Sequence, residues 1–449
     1  MPGWELMSRK PDKGRNAPKP EEAGGLVPRL RFPEFREAGE WESAPMEEMY
    51  AFKATNSLSR DKLNYEGGFV KNVHYGDIHT RFPALFNVRE EYVPYVNVSE
   101  PIDNLSPDSY CVEGDMIIAD ASEDLEDIGK SIEIVRLHNE RVLSGMHTIL
   151  ARQRECRLVV GFGGHLFRSN SIREQIKKEA QGTKVLGISV RRLSKINIFY
   201  PQNRDEQQKI ADCLTSLDDR IRLETERLNA LKDHKKGLMQ QMFPAEGATV
   251  PRLRFAEFRD TGEWDAGKLG EVAEFVNEKV PLERVALENY VSTENILPNY
   301  GGVARASKLP TTGSVTRFRS GDTLVSNIRP YLKKVWVADK EGGASNDVIV
   351  IRANKPLIAQ YLCLLLKNDA FIDYVMTDAK GVKMPRGDIS SMKEYPALYS
   401  CKAEQQKIAD CLSSLDDRIR LETKRLNALK DHKKGLMQQL FPAVHDIAI

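Results

Sequence analysis

Between Ser326 and Lys334 the chain reads Ser-Asn-Ile-Arg-Pro-Tyr-Leu-Lys-Lys, which gathers amide, guanidinium, aromatic and ammonium groups in one short stretch. Asn and Arg can each make two hydrogen bonds to a base edge, and Lys neutralises phosphate, so the chemistry open to this set is the reading and holding of a nucleic acid. Asn327, Arg329, Tyr331, Lys333 and Lys334 are its candidates, with Lys380, Lys383 and Arg386 downstream. Arg305 to Lys340 carries Arg305, Lys308, Arg317, Arg319, Arg329, Lys333, Lys334 and Lys340 against only Asp322 and Asp339, a local basic excess in a chain whose formal net charge is +1. Earlier in the chain, the run Lys71 to Arg81 offers Lys71, His74, Tyr75, His79 and Arg81, and the run Lys184 to Lys195 offers Lys184, Arg191 and Arg192. His74 and His79 read as polar contacts or packed side chains rather than metal ligands. For any one of these residues the competing reading is a basic, solvated loop.

Catalytic patterns are missing. The sequence contains no GxxxxGK[ST] loop, no GxGxxG opening a helix, no HExxH and no GxSxG, and it lacks the Asn-Pro-Pro-Tyr and Asp-Pro-Pro-Tyr tetrapeptides of amino-methyltransferases. Val160-Gly-Phe-Gly-Gly164 lacks a phosphate-loop Lys and reads as a turn. Near-neutral charge excludes a generally basic nucleic-acid binder, so binding must come from local patches. Six cysteines without a CxxC pair give neither a zinc knuckle nor a disulfide framework, and Cys213 and Cys411 are expected to be buried small residues. Residues 1–26 are charged and proline-bearing where a signal peptide needs an apolar core, so a disordered lead-in is expected. The longest apolar run, near Tyr361 to Leu366, is far short of the roughly 20 residues of a membrane span. The expectation is a soluble, cytoplasmic protein.

The elements that would position these groups come in duplicate. Glu206 to Pro244 aligns without a gap on Glu404 to Pro442, and only Thr215/Ser413, Glu226/Lys424 and Met242/Leu440 differ. A second repeat, Val27 to Trp41, recurs as Val250 to Trp264. Between the repeated pieces lie two blocks without sustained identity, so the frame is constant and the inserts vary. The blocks nevertheless share landmarks in one order: Gly114-Asp115 and Gly321-Asp322 before an apolar run, Ser144 and Ser345 before another, and Ala180-Gln-Gly-Thr-Lys184 matching Ala379-Lys-Gly-Val-Lys383. Each block therefore reads as a diverged copy of one mixed α/β domain. In the repeated segment Ile210, Leu214, Leu217, Ile221, Leu228, Leu231 and Leu238 recur at spacings of four and three, interrupted by Glu224 and Lys235, and Ile408, Leu412, Leu415, Ile419, Leu426, Leu429 and Leu436 do the same. Two long helices with one apolar seam each follow, and pairing antiparallel with each other is the simplest way to cover both seams. The two alternatives are packing on the preceding block and pairing with a partner chain.

This arrangement resembles the specificity subunit of type I restriction-modification systems. The resemblance covers about 27 to 442 and rests on Lys71-Asn-Val-His-Tyr-Gly-Asp-Ile78, Tyr290-Val-Ser-Thr-Glu-Asn-Ile296, Gly321-Asp-Thr-Leu-Val-Ser-Asn-Ile-Arg-Pro-Tyr-Leu332 and the Glu-Gln-Gln-Lys-Ile-Ala that opens each helix. It implies a mixed α/β pseudo-twofold tandem repeat: recognition domains at 27–204 and 250–402, long helices at 205–244 and 403–442 forming an antiparallel coiled coil, and a short tail at 443–449. It also implies a non-catalytic subunit that reads a split, asymmetric sequence in double-stranded DNA. Two methyltransferase subunits and two motor-nuclease subunits would be its partners, with S-adenosylmethionine, ATP and magnesium on those partners and no cofactor here. The lead-in before Val27 and the acidic run Glu123 to Asp127 depart from the expected pattern. Rival readings are a self-sufficient bipartite DNA-binding regulator and a coiled-coil scaffold without nucleic acid.

Overall fold

The computed structural model describes residues 26–102, 105–381 and 383–442. Nearly all of the expected lead-in and the whole tail lie outside the described residues. The chain divides into two units, one made of the chain up to Leu223 together with residues from Asn427 onward, the other of Glu224–Leu426. Each holds an α/β body and one half of each long helix.

The long helices span Arg204–Met242 and Lys402–Leu440, 39 residues each and roughly 58 Å long at 1.5 Å per residue. Asn203 starts the first by accepting the Asp205 N–H at 2.9 Å, and Phe243-Pro244 stops it. The two pair antiparallel, as the seams predict. In the first unit Ile210 and Leu214 share a core with Leu436, Leu440 and Phe441, and Asp218 meets Lys433 at 2.5 Å. In the second, Ile408 and Leu412 share a core with Leu238, Met242 and Phe243, and Lys235 meets Asp416 at 2.5 Å.

Two helices cover only one side of a seam, so burial is uneven. Ile210, Leu214, Leu228, Ile408, Leu412 and Leu426 are buried, whereas Leu217, Ile221, Leu231, Leu238, Leu415, Ile419, Leu429 and Leu436 stay half-buried. The seam's polar interruptions carry ion pairs across it. Lys235 takes Asp416, and Glu224, only 5% exposed, faces the Arg425 guanidinium at 3.6 Å. Its repeat mate Glu422, 8% exposed, faces Arg227 at 3.2 Å. Cys213 and Cys411 flank the seam and are half-exposed rather than buried.

The opening motif clasps helix ends. Arg31 donates twice to Glu206, at 2.7 and 2.6 Å, while the Leu30 N–H reaches the Gln439 carbonyl at 2.9 Å. Its repeat does the same: Arg254 donates to Glu404 at 2.7 and 2.8 Å, and Leu253 N–H reaches Gln241 O at 2.9 Å. Beside the clasps, Phe441 packs edge-on to Trp41, and Phe243 edge-on to Trp264. Gln207 and Gln405, both fully buried, tie each helix start to its own body. Gln207 accepts from Val159 and donates to Pro201 O; Gln405 accepts from Ile358 and donates to Ser400 O.

In the first body a five-stranded sheet runs in the order Tyr50–Lys53, Thr148–Gln153, Met116–Ala119, Ser131–Arg136, Leu85–Asn87, antiparallel except for its last, parallel pair. Met116-Ile-Ile-Ala119 is buried on both faces, which is why it reads as an unbroken apolar run. The second body keeps the centre of this sheet as Ala273–Phe275, Val348–Ala353, Thr323–Ser326 and Val335–Val337, all antiparallel. The shared Gly-Asp landmarks open the central strand in both. Gly114 (φ 90°) and Gly321 (φ 93°) sit in the left-handed region that glycine adopts freely. Asp115 and Asp322, both buried, each take a two-pronged guanidinium from the neighbouring strand, Arg152 at 2.9 and 2.8 Å and Arg352 at 2.8 Å twice. The glycine-rich 160–164 segment turns at Val160 and Gly161, as expected, and then enters the helix Phe162–Phe167; buried Glu133 accepts from the capping Gly161 N–H at 3.0 Å and from Gly164 N–H in the first turn at 2.6 Å.

Candidate nucleic-acid interface

Both bodies knot three chain segments together at the end of the central strand, with the same main-chain bonds. In the first, Asp120 donates its N–H to His147 O at 3.0 Å and accepts from Ile188 at 2.9 Å. Gln181 and Gly187 exchange two further bonds at 2.9 and 2.7 Å. In the second, Asn327 donates to Asp347 O at 2.8 Å and accepts from Gly387 at 3.2 Å, and Lys380 and Arg386 exchange two bonds at 2.9 Å each. The landmarks Ala180 to Lys184 and Ala379 to Lys383 are thus the same hairpin in two copies.

In the second body the knot brings together the candidates Asn327, Arg329, Lys380 and Arg386. Ile328 pairs with Arg386 and the Arg329 N–H reaches Pro385 O at 2.8 Å, which lays the 326–334 loop along the 380–388 hairpin. Arg329 (φ 52°) and Lys333 (φ 54°) bracket the short helical turn Pro330–Leu332 in left-handed conformations, a cost of about 1–2 kcal/mol each that the surrounding bonds must hold. Tyr331 projects, 48% exposed, and Arg329 and Lys383 are exposed. The ammonium groups are less free than composition suggests. Lys333 meets Asp369 at 2.5 Å, Lys334 donates to Thr293 O at 2.7 Å, and Lys380 meets Asp388 at 3.0 Å, where it holds the Asp388 carboxyl below its ordinary range. Arg386 meets Asp347 at 2.8 Å.

The first body scatters its candidates more. Lys71 is buried between Glu140 (2.6 Å) and the Tyr95 ring, and Arg81 lies over the stacked rings of Tyr65 and Tyr92. His74 is buried and caps the helix Tyr75–Thr80 by accepting from Gly76 at 3.2 Å; burial first, then the Arg60 cation, lowers its pKa. His79 donates through Nε2 to Ala121 O at 2.9 Å. Tyr75 stands at the centre of His74, His79 and His147, with ring separations of 4.7, 5.8 and 5.2 Å. Lys184 is exposed at the hairpin tip, Arg191 is exposed beyond it, and Arg192 is drawn to Glu179 at 3.3 Å. Sequence reasoning missed Asp120, His147 and Asp347. No local signal marked them: Asp120 lies five residues past Asp115, and His147 and Asp347 lie three and two residues past Ser144 and Ser345. Among the described residues no group of His, Cys, Asp and Glu could hold a metal ion, and no helix is long and apolar enough to cross a membrane.

Comparison with known proteins points the same way. Residues 143–233 and 261–431, more than half of the chain, match the family model described as type I restriction modification DNA specificity domain. The type I restriction enzyme HindI specificity subunit of Haemophilus influenzae is 22% identical over 188 residues, 40% of this chain and 41% of that protein. The EcoDI specificity subunit of Escherichia coli is 26% identical over 176 residues, 37% of this chain and 38% of that one. The matched stretches thus span about two fifths of these relatives. The crystal structure of a type I restriction-modification S subunit from M. genitalium shares the fold, with a TM-score of 0.55 at 15% identity, over 93% of this chain and all of that one. A structure described as the basis of complex assembly and conformational transition of the type I R-M system matches at a TM-score of 0.50 and 14% identity, over 90% of this chain and 98% of that one. By its matched domains and its duplicated frame, this chain belongs to the family of type I restriction-modification DNA specificity subunits.

Proposed function

We propose that this chain is the sequence-reading subunit of a type I restriction-modification complex. Its first body (within 27–204) reads one half of a bipartite DNA target and its second (within 250–402) the other. The observation that carries this reading is a repeated frame of helices and clasps holding two inserts whose exposed loop chemistry differs. The paired helices, 205–244 and 403–442, then act as a ruler between half-sites and as two equivalent docking surfaces for methyltransferase subunits. Motor-nuclease subunits join that assembly, and methyl transfer, ATP use and magnesium chemistry belong to the partners. The relation to a solved structure concerned with type I complex assembly supports this partnership. Its setting would be the cytoplasm, where the DNA is.

Exchange of the first insert for that of another specificity subunit, followed by genome-wide methylation mapping, tests the reading. One new half-site beside one retained half-site is expected. A motif changed in both halves, or methylation without sequence preference, would count against it.

A further inference from the structure

The strand-end knot is made of the same main-chain bonds in both bodies, whichever side chains it displays. Where a side-chain bond ties the frame together, equivalent positions carry the same residues in three cases: Asp115–Arg152 and Asp322–Arg352, Arg31–Glu206 and Arg254–Glu404, Gln207 and Gln405. At the knot the residues differ. Asp120 corresponds to Asn327, His147 to Asp347, Gln181 to Lys380 and Gly187 to Arg386. Two pairs among them are partly exposed and turn to one another, His147 Nδ1 to Asp120 Oδ1 at 3.3 Å and Arg386 to Asp347 Oδ1 at 2.8 Å. His147 sits at φ 55°, a left-handed backbone that a non-glycine residue adopts only when the surroundings hold it. A constant backbone with varied polar side chains is what reading two different half-sites requires.

We propose that Asp120 with His147 reads a base pair of one half-site, and that Arg386, oriented by Asp347, reads a base pair of the other. This assignment rests on the DNA-recognition reading above. The chemistry is that of base edges. The Arg386 fork matches the two acceptors of guanine, and the Asp120 carboxylate accepts from an exocyclic amine. With Nδ1 turned to Asp120, the Nε2 of His147 is the ring atom that meets the base. Asp347 is a positioning residue, which fixes the plane of the Arg386 guanidinium.

The test uses the full chain assembled with its methyltransferase subunits. His147→Ala should make one base pair of one half-site degenerate, and Arg386→Ala one base pair of the other. In competition against duplexes carrying each single-base change, discrimination at that pair should fall roughly 10- to 100-fold, with the remaining pairs unaffected. Asp347→Asn should produce a weaker relaxation at the Arg386 position and nowhere else. Unchanged motifs with methylation retained would overturn the assignment. So would a uniform loss of affinity on all duplexes, which is the behaviour of a phosphate contact or a misfolded variant. A wild-type complex without any sequence preference would instead sink the underlying recognition reading.

Discussion

Arg329 separates two effects that a single alanine change would mix. Its side chain is exposed beside Tyr331, and its backbone is held at φ 52° by the Pro385 carbonyl. Arg329→Gly relieves the left-handed strain, so thermal denaturation should show a protein as stable as the parent or about 1 kcal/mol more so. The same variant should relax or abolish readout of the second half-site alone. Lys333→Ala with Lys334→Ala is expected to lower affinity and its salt dependence without changing the motif, although Asp369 and the Thr293 carbonyl already occupy both ammonium groups and limit the effect. At Glu133 the sign is set by burial. Loss of solvent raises its carboxyl from 4.5 to about 7, against the pull of the Gly164 and Gly161 N–H groups. The folded state therefore keeps a proton that the unfolded chain gives up. Stability is fully present below about pH 4.5 and is lost as pH rises to about 7, by up to about 3 kcal/mol. Melting temperatures across this window should drop for the parent and stay level for Glu133→Gln; parallel curves would show that Glu133 titrates normally.

At the scale of elements, the middle of the helix pair alternates charge across the seam. Arg227 lies 3.2 Å from Glu422 and 3.9 Å from Glu224, and Arg425 lies 3.6 Å from Glu224 and 4.0 Å from Glu422. Removing a cation takes an ion pair from a carboxylate that the seam buries. Arg425→Leu should cost about 2 kcal/mol in chemical denaturation, below the range for fully buried pairs because the guanidinium is half-exposed. Glu224→Leu with Glu422→Leu should instead match or exceed the parent in stability, since it removes both buried carboxylates and leaves only the half-exposed Arg227 and Arg425 cations, which water can solvate. This layer also marks how far local sequence could be read. The seams were legible because spacings of four and three are a property of neighbours on one helix. The charges that interrupt them were visible as breaks, but their partners were not, since Lys235 and Asp416 are 181 residues apart. The strand-end hairpins were legible as matched five-residue landmarks. Asp120 and His147 escaped because nothing local ties a residue after one strand to a turn before another. Arg31 and Glu206 could have been paired from sequence, because both recur together as Arg254 and Glu404.

For the whole molecule, equivalence of the two helices should appear as stoichiometry. Native mass measurement of the co-expressed complex is expected to give one copy of this chain with two methyltransferase subunits; a complex saturated at one would contradict the docking proposal. A seven-residue insertion in one helix, about 10 Å, should shift the permitted spacer between half-sites, and methylation of the original spacing alone would count against the ruler. The order of residues along the chain has a further consequence for biosynthesis. Trp41 and Phe162 pack against Phe441, so the core of the first unit contains almost the last described residue. The second unit is one continuous stretch, Glu224–Leu426. A ribosome therefore delivers everything the later-encoded unit needs before it delivers the last piece of the earlier-encoded one. Nascent chains stalled with residue 426 emerged should already protect the second unit from protease while the first stays open to cleavage, so the body translated first is the one that closes last.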